Sequence, residues 1–271
     1  MDDRKLIEIK KAKKVIFVGD THGDLEASQK VIKNYLKEGN IIVFLGDYVD
    51  RGQKSKENLD FLLEVKAKKP NQIYLLQGNH EGHRILKFSP AEFWESLDEE
   101  KYKKYTSIVE NFPLAVMLNF STGVEKVNKI GGIIALHGVL PDVKNLEEIN
   151  KIKLGSEEWR QITWGDFSEE SGEYLGTDPF TGRPQFGQDY FFKTMDRFNK
   201  KVLIRSHQPT SPLFTFDNRC LTIFTSSAYT RERTIAIADL RKTTTRPPLP
   251  PTSWAPIKDA KDLEIKRVRR S

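Results

Sequence analysis

Three apolar runs in the first 80 residues each end in a glycine followed by polar side chains. The runs with their endings are VIFVGDTHG (15–23), IIVFLGDYVDRG (41–52) and IYLLQGNHE (73–81). Segments 24–38 and 55–67, which separate the runs, carry apolar residues at the spacing of one helix face. Continuous apolar strands joined by helices predict a parallel β-α-β-α-β unit covered on both faces.

Polar residues at the carboxyl ends of parallel strands meet at one edge of a sheet, where ligand sites form. The three endings would therefore bring together Asp20, His22, Asp47 and Asn79. Asp20 taken alone could simply cap the following helix. Three such endings on successive strands favour a shared ligand site instead.

Four of the five histidines follow predicted strands. His22 and His80 belong to the endings above, His137 ends IIALHG (133–138), and His207 lies in VLIRSHQ (202–208). Histidines scattered over a surface would not fall at strand ends in this way, so we interpret the four as site residues. The fifth, His83, is predicted to lie at the surface or rim.

The second half follows a different pattern. We predict a helix over 90–111, strands at 114–119 and 132–136, short helices within 143–163, a loop over 165–186 and a helix over 187–199. A strand at 202–205 is followed by a β-meander formed by strands 213–217, 220–225 and 234–238. These segments define one predicted domain, 1–240. Residues 241–271 are predicted to form a basic, proline-rich tail, either extended or docked through Trp254 and Pro256.

The net charge of +6 comes from that tail, which has nine Lys/Arg and three Asp/Glu, while residues 1–240 carry 35 of each sign. A basic arm that binds nucleic acid or a protein partner is one interpretation. Its short length and interspersed acids favour a solvated terminus, so a nucleic-acid partner is not expected.

No apolar run approaches the roughly 18–20 residues that cross a bilayer. With no signal-peptide pattern, we expect a cytoplasmic protein without a membrane partner. The single cysteine, Cys220, excludes an intramolecular disulfide and is predicted to be a buried strand thiol.

The motifs GDTHG, GDYVDRG, GNHE, LHG and RSHQ, in this order, resemble the signature of the PPP family of serine/threonine protein phosphatases, within the metallophosphoesterases. The resemblance runs from about residue 15 to 239 and is closest to archaeal and prokaryotic members. It implies an α/β, four-layer metallophosphoesterase fold. Such a fold has a central β-sandwich of two mixed sheets flanked by helices, and a dinuclear metal site at the carboxyl ends of the strands.

The resemblance also implies a ligand set for two divalent ions per chain. The first ion would be held by Asp20, His22 and Asp47, and the second by Asp47, Asn79, His137 and His207, with Asp47 bridging. These donors suit Mn²⁺, which is favoured, and also Fe or Zn²⁺. A hydroxide shared by the ions would attack phosphorus directly.

Five further residues are implied in catalysis. His80 matches the general acid, and Asp50 the carboxylate that orients it. Arg51 and Arg183 match the arginines that clamp the phosphate. Compared with the family pattern, the segment between Arg183 and the following glycine is three residues shorter. Tyr229 matches a tyrosine at the border of the site, and Glu81 is predicted to brace the loop.

Departures from the family pattern lie around the substrate groove. LHGVLPD stands where the family pattern has HGGLSP, and WGDF (164–167) stands where it has WSDP. FTSSAYTRE stands where eukaryotic members have a SAPNYC-type loop. The expected function is hydrolysis of phosphoserine and phosphothreonine in protein substrates. A dinucleoside polyphosphate hydrolase on the same metal core is the alternative, because fold and metal ligands do not separate the two. Phosphoprotein substrates are the expected partners, and no regulatory subunit is assigned.

Overall fold

The computed structural model describes residues 4–119, 131–229, 232–240, 257 and 259–269. A first sheet contains the predicted β-α-β-α-β unit. Its parallel strands are β2 (Lys14–Val18), β3 (Asn40–Phe44) and β4 (Ile73–Leu75), and its helices are α1 (Leu25–Tyr35) and α2 (Ser55–Lys68). Two antiparallel strands, β13 (Thr234–Asp239) and β14 (Glu264–Arg267), extend the sheet to give the order β14-β13-β2-β3-β4.

A second, six-stranded sheet is mixed, with the order β1-β5-β6-β10-β12-β11. Its strands are β1 (Leu6–Glu8), β5 (Ala115–Asn119), β6 (Gly132–Leu136), β10 (Val202–Arg205), β11 (Phe214–Thr215) and β12 (Cys220–Thr222). The pairs β5–β6 and β11–β12 are antiparallel and the others are parallel. Cys220 is buried within β12, as predicted.

Alternating side chains of β2 show how the layers assemble. Val15 and Phe17 face the second sheet and pack in one core with residues such as Ile133. Ile16 and Val18 face the other way and pack against helix residues such as Leu59. This period of two places one set of side chains on each face of the sheet.

Helices cover the outer face of each sheet. The outer face of the first sheet is covered by α1, α2, α3 (Glu92–Glu95) and α4 (Glu99–Val109). On the second, α5 (Glu157–Trp164) and α6 (Gln188–Arg197) cover the opposite face. The order helix, sheet, sheet, helix confirms the predicted four-layer fold. Among the described residues, no helix combines the length and apolar character needed to span a membrane.

Several local predictions were wrong. The predicted loop at 165–186 contains a small third sheet of β7 (Asp166–Phe167), β8 (Tyr174–Thr177) and β9 (Pro184–Phe186). These strands are only two to four residues long, too short for a recognisable alternation. The predicted helix at 90–111 is two helices, because Asp98 caps a new one by accepting a hydrogen bond from Lys101 N.

The predicted meander was also wrong in part. Strands β11 and β12 pair with each other, but β13 crosses to the first sheet and pairs with β2. Beyond the boundary predicted at residue 240, β14 pairs with β13, and Leu263 is buried in the core between the sheets. Burial of apolar side chains therefore holds residues 259–269 on the domain. Trp254 and Pro256 lie outside the described residues.

Candidate active site

The six predicted metal ligands meet at the rim where both sheets end. Their positions follow β2, β3 and β4 in the first sheet, and β6 and β10 in the second. All six side chains are buried: Asp20, His22, Asp47, Asn79, His137 and His207. The Ser206 hydroxyl joins the two rims, since it accepts a hydrogen bond from Asp20 N at 2.9 Å and donates to Ile223 O at 2.7 Å.

The backbone at this rim is strained. Nine described residues other than glycine have positive φ. Five of them are predicted site residues, namely His22, Asp47, Asp50, Arg51 and His207. A left-handed conformation costs on the order of 1–3 kcal/mol for such residues and concentrates at functional sites. Glycine is also required at Gly78, where a Cβ would lie 2.2 Å from Asp47 Oδ1.

Asp47 lies between two groups of donor atoms. On one side, His22 Nε2 is 3.7 Å from both Asp47 Oδ2 and Asp20 Oδ2. On the other side, His137 Nε2 is 3.4 Å from Asp47 Oδ2. The groups His22, Asp47, His80 and Asp47, His137, His207 each offer ligand atoms within 4.8 Å of one another. Asp47 is thus common to both groups of donor atoms.

Backbone carbonyl groups orient two of the histidines. The Nδ1 atoms of His22 and His137 lie 2.9 Å from Val49 O and 3.0 Å from Leu45 O. Donation from Nδ1 leaves each Nε2 lone pair directed into the site, as is usual for imidazole ligands of metals. His137 Nε2 lies 3.1 Å from both Asn79 Oδ1 and His207 Nδ1, all potential metal ligand atoms. Such a convergence of lone-pair donors fits divalent ions.

The electrostatics of the site reflect the same crowding. Burial would raise the pKa of Asp47, but His137, His80 and His22 together hold it well below the usual value. Burial would lower the pKa of His22, but Asp20 and Asp47 raise it to about 9. Burial, with Arg183 nearby, lowers the pKa of His207 well below 6.5, so its imidazole is neutral.

His80 and Asp50 form a buried pair beside the ligands. His80 Nδ1 lies 2.6 Å from Asp50 Oδ2, and Asp50 Oδ1 accepts a hydrogen bond from Phe93 N at 2.7 Å. The main chain of His80 is fixed too, because its N–H donates to Asp47 Oδ1 and its carbonyl accepts from Trp94 Nε1. His80 Nε2 is 3.9 Å from Asp47 Oδ2. The free ring nitrogen therefore faces the ligand cluster.

Arg51, Arg183 and Tyr229 border the cluster. Arg51 Nη1 donates to Pro90 O at 2.8 Å and lies 3.2 Å from Glu92 Oε2. Arg183 Nη1 is 3.7 Å from Asp166 Oδ1. The ring of Tyr229 packs edge-on against His22, with 5.4 Å between centroids. Burial, followed by the charges of Asp20 and Asp47, raises the pKa of Tyr229 to about 12.

Asp166 is a site residue without a predicted role. Its Oδ1 lies 3.4 Å from His207 Nε2, and both atoms are buried without a hydrogen-bond partner. A small shift would join them and direct His207 Nδ1 towards the ligands. The acidic residue within the unusual WGDF motif was the available signal.

Asp24 and Arg233 were missed as well. Arg233 donates to both carboxylate oxygens of Asp24, at 2.8 and 2.9 Å, and the pair is buried. Asp24 also accepts a hydrogen bond from Ser227 N at 2.7 Å, two residues before Tyr229. The pair therefore ties the Tyr229 loop to the ligand loop after β2. The two residues are 209 positions apart, so no local pattern connects them.

The predictions for Glu81 and His83 had different outcomes. Glu81 accepts hydrogen bonds from the N–H groups of Asp47, Tyr48 and Gly78, which confirms its predicted bracing role. The surface location predicted for His83 is wrong, because only 8% of its surface is exposed. Its ring stacks on Trp94 and touches the edge of Phe88. Aromatic residues from 88 to 102 fold back over this turn and bury it.

Comparisons with known proteins identify relatives that are named serine/threonine-protein phosphatases. The chain is 28% identical over 230 residues to a probable serine/threonine-protein phosphatase of Encephalitozoon cuniculi, covering 79% of this chain and 47% of that protein. It is 27% identical over 229 residues to human serine/threonine-protein phosphatase 5, covering 82% of this chain and 44% of that protein. The chain thus spans less than half the length of these relatives.

A solved structure shares the fold. A Saccharomyces cerevisiae protein serine/threonine phosphatase, described as similar to human phosphatase PP5, matches with a TM-score of 0.74 and 20% identity. The match covers 99% of this chain and 84% of that one. The family model for calcineurin-like phosphoesterases, whose members use divalent metal ions, matches residues 13–211. The chain belongs to the calcineurin-like phosphoesterase family.

Proposed function

We propose that this protein is a metal-dependent protein serine/threonine phosphatase that hydrolyses phosphomonoesters in phosphoprotein substrates. The observation that carries the proposal is the buried His80–Asp50 pair beside two ligand groups that share Asp47. A proton donor next to a dinuclear site suits an ester whose leaving group is a strongly basic alkoxide.

The proposed metal ligands are the six predicted residues. Asp20 and His22 would complete one site and Asn79, His137 and His207 the other, with Asp47 common to both. When bound, two divalent ions, of which Mn²⁺ is our first choice, would neutralise phosphate charge and lower the pKa of an attacking water. Asp166 would hold His207 in the tautomer that leaves Nδ1 free for a metal.

His80 is the proposed general acid. The carboxylate of Asp50, 2.6 Å from Nδ1, stabilises a positive imidazole ring and fixes its orientation. The proton on Nε2 then faces the site and can pass to the serine or threonine oxygen as its bond to phosphorus breaks. Donor-atom distances alone also allow His80 as a metal ligand. We favour the acid role because the neighbouring Asp50 carboxylate would stabilise the positive charge that a proton-donating ring carries.

Two arginines are proposed to bind the phosphate. Arg51 holds Glu92 and Pro90 O through Nη1, so binding would redirect a side chain that is already at the rim. Arg183 lies directly before β9 in the small third sheet, with Nη1 3.7 Å from Asp166 Oδ1. Guanidinium groups bind phosphate oxygens in pairs and add directional hydrogen bonds to the charge interaction. Tyr229 is proposed to border the bound phosphate next to His22.

The decisive experiment compares substrates. Initial rates would be measured with phosphoserine, phosphothreonine and phosphotyrosine peptides and with symmetrical dinucleoside tetraphosphate, all with added Mn²⁺. We expect kcat/KM to be highest for the phosphoserine and phosphothreonine peptides. A higher value for the dinucleotide would overturn the proposal in favour of a nucleotide hydrolase on the same ligands. Residues 264–267 form β14 and are paired with β13. This pairing counts against a free nucleic-acid-binding arm.

A further inference from the structure

The hairpin of β8 and β9 presents aromatic side chains to solvent. Phe180, in the turn between the strands, is 95% exposed, and Tyr174 on β8 is 58% exposed. Only one other large hydrophobic side chain among the described residues is strongly exposed, Leu86 at 38%. Single exposed apolar residues are common on surfaces. Two of these three residues, however, lie on the same 13-residue hairpin (174–186).

The turn that carries Phe180 is held in shape. The Asp178 carboxylate accepts hydrogen bonds from Phe180 N at 3.0 Å and from Thr181 N at 2.7 Å. Gly182, with a φ of 69°, donates to Asp178 O at 2.9 Å, and its carbonyl accepts from Arg160 Nη2 at 2.6 Å. A fixed turn loses little conformational freedom when a partner binds. Phe180 is therefore presented as a pre-organised contact.

The hairpin also carries the proposed phosphate clamp. Phe180 is three residues from Arg183, so their Cα atoms are at most roughly 10 Å apart. Arg183 reaches Asp166, which lies against His207 in the ligand cluster. A molecule whose phosphate is held by Arg183 will have its neighbouring atoms near Phe180. An extended peptide advances about 3.3 Å per residue, so the relevant residues lie a few positions from the phosphorylated one.

We propose that the Phe180 turn is a docking point for an apolar side chain of the substrate, a few residues away from the phosphorylated serine or threonine. The proposal rests on the phosphatase function proposed above. Aromatic side chains on rigid supports are frequent anchors in protein recognition, because they bury a large area with few rotatable bonds. Continuity with Arg183 favours a substrate peptide over a second copy of this chain or a membrane.

The test uses two phosphothreonine peptides that differ only in their flanks. One carries leucine at positions two to five on both sides of phosphothreonine, and the other carries serine there. The wild-type chain, Phe180→Ala and the matched control Leu86→Ala would be assayed on both peptides and on p-nitrophenyl phosphate. Since Phe180 is 95% exposed, folding should survive the change, and circular dichroism would verify this.

For Phe180→Ala we expect KM on the leucine peptide to rise roughly tenfold relative to its change on p-nitrophenyl phosphate. We also expect kcat to stay the same, and Phe180→Leu to restore most of the affinity. Leu86→Ala should behave as wild type. An unchanged preference for the leucine peptide in Phe180→Ala would overturn the docking role while leaving the phosphatase function intact.

Two other results would also overturn the inference. If Phe180→Ala converts a concentration-dependent dimer to monomer in sedimentation equilibrium, with no change in peptide KM, a second copy occupies the turn. If wild type hydrolyses neither peptide but does cleave the dinucleotide, the proposed function itself fails. The three failures are distinguishable, because they appear in different measurements.

Discussion

Replacing Asp50 with asparagine tests the proton donor with the least structural change. The side chain is fully buried, and its Oδ1 accepts a hydrogen bond from Phe93 N at 2.7 Å. In the Asp50→Asn variant, Phe93 N–H still needs an acceptor, so the amide oxygen takes the position that Oδ1 holds in Asp50. The amide NH₂ must then face His80 Nδ1, which accepts instead of donating. The imidazole becomes neutral with its proton on Nε2, and donation from a neutral ring would leave an imidazolate.

The structure sets the expected size of the effect. The His80–Asp50 contact is 2.6 Å long and buried. Hydrogen bonds to charged groups contribute about 1.5–3 kcal/mol, a factor of roughly 10–150. General acids contribute roughly 10²–10⁴-fold to rates. We therefore expect kcat on phosphothreonine peptides to fall about 100-fold in Asp50→Asn.

Leaving groups provide the assay. The p-nitrophenolate ion leaves without needing a proton, so Asp50→Asn should lower kcat on p-nitrophenyl phosphate much less than on phosphothreonine peptide. Asp60→Asn is the matched control, because Asp60 accepts a hydrogen bond from the Tyr105 hydroxyl at 2.7 Å away from the site. Equal losses on both substrates would refute the acid role. Metal analysis of His80→Asn completes the test, since two ions per chain should remain if His80 is not a ligand.

Three further predictions concern the metals and the fold. Asp47→Asn should reduce the metal content from two ions per chain to one or none by elemental analysis, whereas two retained ions would contradict the bridging role. In the metal-free protein Asp20 and Asp47, against the effect of burial, raise the pKa of His22 from 6.5 to about 9. That proton therefore stabilises the metal-free fold fully below pH 6.5, and the contribution is lost as pH rises through 9. Metal affinity by calorimetry should rise up to about tenfold per pH unit across this window, and a flat profile would exclude the mechanism. Arg233→Ala leaves the Asp24 carboxylate buried without its cation and should cost about 3–5 kcal/mol in urea unfolding; a loss below 1 kcal/mol would contradict it.

Local patterns predicted the three parallel strands of the first sheet and the strand-end positions of the candidate ligands. In the β-α-β-α-β unit each apolar run, its helix and its glycine-polar ending are adjacent in sequence. The parallel register of β2, β3 and β4 followed from that order. Strand-end histidines extended the same reasoning to His137 and His207, although they lie in the second sheet.

Long-range pairing was beyond such patterns. A period of two identifies a strand and its faces but does not name its neighbour. Strand β13 looks like a continuation of β11 and β12, yet it pairs with β2, more than 200 residues earlier. Strand β14 has the composition of a charged tail, and only the burial of Leu263 between the sheets reveals its place. Asp166 and Arg233 were missed for the same reason, since their partners are distant in sequence.

The turn at 79–83 shows why neighbouring polar residues take different roles. His80–Gly82 forms a 3₁₀-helix, in which successive side chains point about 120° apart and residues three positions apart are eclipsed. Asn79 and His80 both reach the ligand cluster from different directions, while the Glu81 carboxylate accepts hydrogen bonds from N–H groups of the neighbouring loops. His83 comes back beneath His80, and the Phe88 ring touches both, at 5.2 and 4.6 Å between centroids. A buried His83 thus supports the proposed acid through Phe88, which a surface residue could not do.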